Sequence, residues 1–162
     1  MNFFSSDISY ILNRIKKEME IIDMKKIRND VTYSIKALMY LYENKQSKNI
    51  TALEISESED IPINFLYTIL RKLKDYDYIE ITPGLRGGYK LGKSINKATL
   101  LDLISIITGN FIIKNCCIKD KQCKRYGKCP INQELVRIEI LLKKELSKNK
   151  IIDLFKQNYS KK

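Results

Sequence analysis

No histidine and no tryptophan occur in these 162 residues, which include only three prolines, six glycines and four cysteines. Without histidine the chain lacks the usual neutral-pH proton carrier and the commonest imidazole metal ligand. Metal chemistry then falls to thiolates and carboxylates. There is no G-x-G-x-x-G fingerprint, no C-x-x-C redox pair and no carboxylate pair in a recognisable setting. A dinucleotide-dependent or dithiol oxidoreductase therefore has little footing, and the chain reads as a non-enzyme. No apolar run approaches the roughly 18 residues that a membrane span needs. The opening MNFFSSDISYILNRIKKEMEIID puts its charges after its apolar residues and offers no small-residue cleavage site, so a cytoplasmic location is expected.

What is present is a folded chain of about one domain with an appendage, since 44% of residues are apolar, enough to build a core. Its net charge is +11. Residues 114–162 hold fourteen Lys/Arg against five Asp/Glu, and residues 24–98 hold thirteen against nine. That balance suits a polyanion such as nucleic acid or an anionic membrane surface, or it simply solubilises the fold.

All four cysteines crowd into CCIKDKQCKRYGKC, residues 116–129. Cys117, Cys123 and Cys129 are separated by five residues each time. In a well-cored cytoplasmic chain such thiols stay reduced, and clustering favours metal ligands or redox sensors over disulfide staples. Structural zinc prefers four ligands with two-residue spacings, which are missing here. A thiol sensor without metal stays open, with Cys116 beside Cys117 available for oxidation.

Local patterns place the elements. NDVTYSIKALMYLYEN, residues 29–44, repeats Val31, Ile35, Leu38 and Leu41 or Tyr42 at helical spacing. TALEISESED, residues 51–60, opens on Thr51 with Glu54 three positions on, a capping box, and Leu53 and Ile55 are expected to face inward. Pro62 then opens a third helix, PINFLYTILRKLKDYD. YIEITPGLRGGYKLGK, residues 78–93, reads as a β-hairpin around PGLRGG. Thr99 caps LLDLISIIT, which Gly109 ends. INQELVRIEILLKKELSK, residues 131–148, carries Ile131, Leu135, Ile138 and Leu142 on one stripe, and pairing with a second copy is the natural cover. The predicted class is mainly α: a winged helix-turn-helix with a β-hairpin wing and a long C-terminal dimerisation helix. The expected divisions are an extension over 1–23, the winged helix-turn-helix over 24–98, and the cysteine loop with its helix over 99–162.

In the third helix Phe65, Leu66, Ile69, Leu70 and Leu73 are expected to be buried. Asn64, Tyr67, Thr68 and Arg71 then form the opposite face, where a recognition helix meets base edges of double-stranded DNA. Lys72 and Lys74 flank them and suit phosphate contacts. Arg86 and Lys90, at and just beyond the hairpin tip, suit a minor groove or backbone. A membrane-surface or protein-interaction module using the basic C-terminal helix is the competing use of the charge.

From about residue 25 to 157 the chain resembles the IscR/NsrR/CymR-type winged-helix transcriptional regulators (the Rrf-two family). The carriers are TYSIKALMYL, ITALEISESEDIPINFLYTILRKLKDYDYI, GLRGGYKLGK, ATLLDLISIITG and the late KIIDLF. The resemblance implies a homodimeric DNA-binding regulator. It further implies that Cys117, Cys123 and Cys129, matching the family's spacing one for one, ligate an iron–sulfur cluster of the 2Fe–2S or 4Fe–4S type. Thiolates are soft ligands suited to such clusters, and the surrounding lysines would offset the negative charge.

The departures are specific. Where IscR-like members place a histidine three residues after the third cysteine, this chain has Asn132, a poor iron ligand. Where some NsrR-like members place an aspartate in the first helix it has Thr32, with Asp30 two residues earlier. The fourth ligand is thus open among Cys116, a partner's Asp30, Glu134 and an exogenous thiol or water. Pro83 stands in place of a wing arginine and Tyr67 in place of a recognition-helix glutamate, so no operator sequence carries over. Family chains usually begin near Met24, so residues 1–23 read as a misplaced start or an extra amphipathic helix.

Overall fold

Helix α1, Asn29–Glu43, forms because its apolar residues recur on one face: Val31, Ala37, Leu38 and Leu41 are buried, and Ile35 and Tyr42 line the margin. Ser34 is buried among them, its hydroxyl donating to the Asp30 carbonyl at 2.6 Å. The computed structural model describes residues 29–47, 50–84, 87–109, 111, 125 and 128–159. The expected extension over 1–23, Arg86 at the wing tip, and Cys116, Cys117 and Cys123 lie outside the described residues.

Helix α2, Ala52–Glu59, starts on the expected capping box. The Thr51 N–H donates to Glu54 Oε2, and the Glu54 N–H donates to Thr51 Oγ1 at 3.2 Å. It ends at Asp60, whose φ of 52° turns the chain back. The Ile61 N–H then donates to the Ser56 carbonyl, and the Ser56 hydroxyl to the Ile61 carbonyl. A left-handed aspartate thus makes the tight turn that glycine usually makes, its short polar side chain tolerating that conformation. Pro62 is the residue before helix α3, Ile63–Asp75, rather than part of its first turn. Its φ of −56° presets the entry. Leu66, Ile69, Leu70 and Leu73 bury one face of α3.

Strands β1, Ile79–Thr82, and β2, Gly88–Leu91, pair antiparallel with Ile79 opposite Leu91 and Glu80 opposite Lys90. The outer edge of β2 is not bare: the Tyr89 N–H donates to the Ile50 carbonyl at 2.7 Å, an isolated bridge that ties the hairpin to the chain before α2. A 3₁₀ turn at Ser94–Asn96 drops Ile95 into the core. Helix α4, Leu100–Thr108, repeats the capping box with Thr99 and Asp102, buries Leu103 and Ile107, and stops at Gly109, where φ is 86°.

Helix α5, Pro130–Leu146, runs on one proline at its first turn and ends two residues sooner than expected. None of its residues is buried: Leu135 and Ile138 are half-covered, while Ile131 is 72% exposed and Ile140, Leu141 and Leu142 are exposed too. Helix α6, Ile151–Tyr159, returns to the body. The Ile151 N–H donates to the Ala98 carbonyl at 2.9 Å, and Phe155 stacks obliquely near Tyr42 with ring centres 5.7 Å apart. Residues of α1, α2, α3, α4 and α6 therefore share one apolar core. Each fully buried leucine or isoleucine in it contributes about 1.5–3 kcal/mol over an exposed one. No described helix is long and apolar enough to cross a membrane.

Candidate functional site

The turn between α2 and α3 presents α3 to solvent along the face opposite Leu66, Ile69, Leu70 and Leu73. Asn64, Tyr67, Thr68 and Arg71 are all exposed there, as the sequence pattern predicts. Their chemistry covers amide, phenol, hydroxyl and guanidinium, the groups that read base edges in a major groove. The Thr68 hydroxyl is partly occupied, donating to the Asn64 carbonyl at 3.3 Å. Tyr67 lies on the flank that faces the hairpin. Burial pushes the Tyr89 phenol of β2 above its ordinary pKa, and the Tyr67 phenol adds to that shift. The recognition helix also packs against β1, so helix and wing adjoin.

Two apolar residues are exposed against expectation. Phe65 is 61% exposed and Leu53, on α2, is 59% exposed. The expectation of burial fails for a geometric reason. At 100° per residue Phe65 sits about 90° from the centre of the buried stripe, and Leu53 points away from Ala52 and Ile55. A helical-wheel projection was the signal that finds them. Lys72 also departs from expectation: it does not reach out toward a phosphate. Its Nζ donates to the Ile107 carbonyl at 2.7 Å, at the end of α4. Lys74 is exposed.

In the wing, Lys90 lies opposite Glu80 and its Nζ meets Glu80 Oε2 at 2.9 Å. That hydrogen bond, with the charge behind it, holds the Glu80 carboxyl below its usual range. The ammonium is solvent-facing and its carboxylate partner is exposed, so exchange of that partner for a phosphate costs little. Pro83 and Gly84, with φ of 106°, begin the tip, and the Gly87 N–H closes it on the Gly84 carbonyl.

Of the three evenly spaced cysteines the described residues include Cys129. It is the residue that precedes α5, half-buried, with φ −80° and ψ 117°, and its side chain makes no capping hydrogen bond. Its thiol is free of any disulfide. One turn on, Asn132 Oδ1 is buried and has no hydrogen-bond partner among the described residues. A buried amide oxygen left unpaired carries a penalty of about 1–3 kcal/mol, so it marks a place where a partner is wanted. Glu134, the other oxygen donor nearby in sequence, is exposed and forms a surface ion pair. Arg137 binds it through two nitrogens at 2.6 and 2.9 Å, which lowers its pKa. Asp30, at the start of α1, accepts the Val31 N–H at 3.0 Å. Among the described residues no three His, Cys, Asp or Glu converge as a metal site. Cys117 and Cys123 would have to supply the rest.

A capped helix, a tight turn, a second helix with an exposed polar face and a following hairpin define a winged helix-turn-helix DNA-binding protein. Comparison with known proteins makes this particular. The family model described as "Iron-dependent Transcriptional regulator", Rrf2, matches residues 27–157, and the chain belongs to that family. It is a transcriptional regulator of the DNA-binding type. The chain is 25% identical over 91 residues to the HTH-type transcriptional regulator NsrR of Bacillus licheniformis, a match covering 56% of this chain and 64% of that one. Among solved structures it resembles the global cysteine regulator CymR of B. subtilis, with a TM-score of 0.63 at 19% identity, covering 82% and 97% of the two chains. It likewise resembles T. potens IscR, with a TM-score of 0.64 at 14% identity, covering 82% and 88%. These two likenesses fix the fold.

Proposed function

We propose that this regulator works as a homodimer whose grip on operator DNA is set by an iron–sulfur cluster held on Cys117, Cys123 and Cys129. The observation that carries the reading is the pairing at the start of α5: a free, half-buried Cys129 and, one turn away, an Asn132 oxygen that finds no partner among the described residues. The donor set fits such a group. Thiolates are its usual ligands and three are at hand, the positive end of a 17-residue helix lies beside one of them, and Lys128 and Arg125 add compensating charge. A bound cluster supplies reactivity toward iron status, oxidants or nitric oxide. The protein's residues supply the rest. Asn132, a poor iron ligand, offers an amide oxygen at the border of the site, where family members of IscR type place histidine. Asn64, Tyr67, Thr68 and Arg71 read bases, while Lys74, Lys90 and Arg86 position the backbone.

Dimerisation follows from α5. An isolated protomer exposing Ile131, Ile140, Leu141 and Leu142 on one helix leaves apolar surface that a second copy covers. A symmetric pair then sets two recognition helices on successive major-groove faces. Such work places the protein in the cytoplasm, with DNA and not a membrane as partner. A second reading keeps the fold and replaces the cluster by bare thiols. The likeness to a protein named as a cysteine regulator favours it.

Anaerobic isolation with iron and sulfide analysis, followed by titration on the gene's own promoter, separates the two. The cluster reading expects iron and sulfide in near-equal amounts and an operator affinity that changes when they are removed. A colourless, iron-free protein whose affinity responds to thiol oxidation alone would overturn it. In the same titration Arg71→Ala is expected to weaken operator binding about tenfold to a hundredfold while leaving thermal stability unchanged. Equal loss on operator and on random DNA would remove Arg71 from base reading.

Asn132→Leu gives a further, two-signed expectation. Removing a buried, unpaired oxygen raises the stability of the cluster-free protein by about 1 kcal/mol, seen as a melting temperature higher by a few degrees. The same change should hasten cluster loss in air. An unchanged rate of cluster loss would place Asn132 outside the site.

A further inference from the structure

Lys72 is a lysine of the DNA-facing helix that does not face DNA. It leaves α3 at the edge of the buried stripe, half-buried itself, and spans 35 positions in sequence to donate to the Ile107 carbonyl at 2.7 Å. Ile107 belongs to the last turn of α4, and its own side chain is 2% exposed. The need for this bond is plain from α4 itself. Its terminal carbonyls carry the negative end of the helix dipole, and no basic residue lies in its last turn. The Thr108 hydroxyl donates to the Ile104 carbonyl at 2.8 Å, and Lys72 donates to that of Ile107. A second lysine is used the same way. Lys36 of α1 donates to the Glu59 carbonyl at 2.6 Å, closing the end of α2.

The end of α4 is where the chain departs toward the four cysteines: Gly109 stops the helix and residues 116–129 follow. The Lys72 bond therefore joins two places that carry different work. One is the helix bearing Asn64, Thr68 and Arg71. The other is the anchorage of the cysteine segment. We propose that Lys72 is a positioning residue that passes the state of the cysteine segment to the recognition helix through the end of α4. The proposal rests on the functional reading above for what the segment senses, and on the fold for the coupling itself. Coupling between two sites is reciprocal: if the segment moves α3 through this bond, DNA on α3 must steady the end of α4. That consequence needs no cluster to be present.

The test compares the full-length protein with Lys72→Met, which keeps the aliphatic stem and loses the charge, and Lys72→Arg, which keeps a donor. Backbone amide exchange is followed over residues 104–111 with and without the gene's promoter fragment, on chain stripped of iron by a chelator. Wild type and Lys72→Arg are expected to show exchange slowed about threefold or more there on DNA binding. In Lys72→Met this slowing vanishes, while DNA still protects α3 and the salt dependence of binding keeps its slope. On protein isolated with iron, the ratio of affinities before and after chelation also shrinks toward one in Lys72→Met. A phosphate contact predicts the opposite pair of results, a salt slope reduced by about one and unaltered slowing at 104–111. That outcome overturns the proposal, as does a Lys72→Met protein identical to wild type in both readouts. Wild type isolated without iron would instead count against the cluster reading alone, because the exchange measurement is made on the cluster-free chain.

Discussion

Cys129→Ser is expected to strip the protein of iron while leaving its fold as stable as before or slightly more so. The expectation comes from where Cys129 sits. It occupies the position before the first turn of α5 in an extended conformation and makes no capping hydrogen bond. Serine is among the best residues there, since its oxygen accepts from an N–H two or three residues on, and such a cap contributes about 1 kcal/mol over a residue that cannot. Pro130 lacks an N–H, so the donors that need a partner are those of the next positions. The substitution therefore swaps a soft metal ligand for a hard one and improves the helix at the same time. Iron per chain should fall to about a tenth of the wild-type value or lower, because an alkoxide-type oxygen is a poor ligand for such clusters. The melting temperature of cluster-free protein should match or exceed wild type. Operator affinity should become insensitive to oxygen and chelators. Full iron content in Cys129→Ser would dismiss this cysteine as a ligand. Iron loss accompanied by a large drop in melting temperature would instead make it a structural residue.

Which parts of this could be read from the chain, and which could not, follows from the range of the interactions involved. Thr51 with Glu54 and Thr99 with Asp102 are reciprocal bonds over three residues, so the sequence alone identifies both helix starts. The order of helix, turn, helix and hairpin is likewise local chemistry. Asn64, Tyr67, Thr68 and Arg71 are legible as an exposed face because the four buried positions opposite them have an unmistakable spacing. Failures begin where the answer depends on another element. Phe65 and Leu53 lie off the buried stripes of their helices, where cover for an apolar side chain depends on a neighbouring element, and none of the described elements supplies it. Lys72 sits in a run of basic residues that looks made for phosphate, and only the approach of α4 reveals its carbonyl partner. The spacing of Cys117, Cys123 and Cys129 signals metal from sequence. That the Asn132 oxygen, three residues after the last of them, is buried without a partner among the described residues is a fact of packing. Arg86, Cys117 and Cys123 lie outside the described residues, and their proposed roles rest on the sequence.

Gly92→Ala is expected to damage the fold strongly for the addition of a single methyl. Gly92 follows β2 and is buried, and its N–H donates to the Tyr78 carbonyl at 2.9 Å. The backbone opposite is the turn at Asp77, which already holds a left-handed φ of 57°. A Cβ built on Gly92 would overlap the Asp77 carbonyl oxygen, with the Asp77 carbonyl carbon at 2.8 Å and the Ile79 nitrogen at 3.1 Å. All three are backbone atoms, so no side chain can swing aside. Either the Asp77 turn or the first pair of the hairpin, Ile79 with Leu91, must give way. Tyr78 and Ile79, which are 6% and 1% exposed, would then leave their places in the core. Overpacking against fixed backbone costs about 3 kcal/mol or more, which for a chain of this length lowers the melting temperature by roughly 10 °C. Gly84→Ala is the matching control. Gly84 has φ of 106° but open space around it, so strain alone is at issue and the loss should stay near 1 kcal/mol. DNA binding separates the two further. In Gly92→Ala the hairpin shifts as a body, carrying Lys90 and the neighbour of Tyr67 with it, so operator affinity should fall at least tenfold even well below the melting transition. Gly84→Ala changes the tip and leaves the register of β1 and β2 alone, so its loss should be smaller. If Gly92→Ala melted within about 2 °C of wild type, the close approach of Gly92 to Asp77 would not be a constraint on the fold.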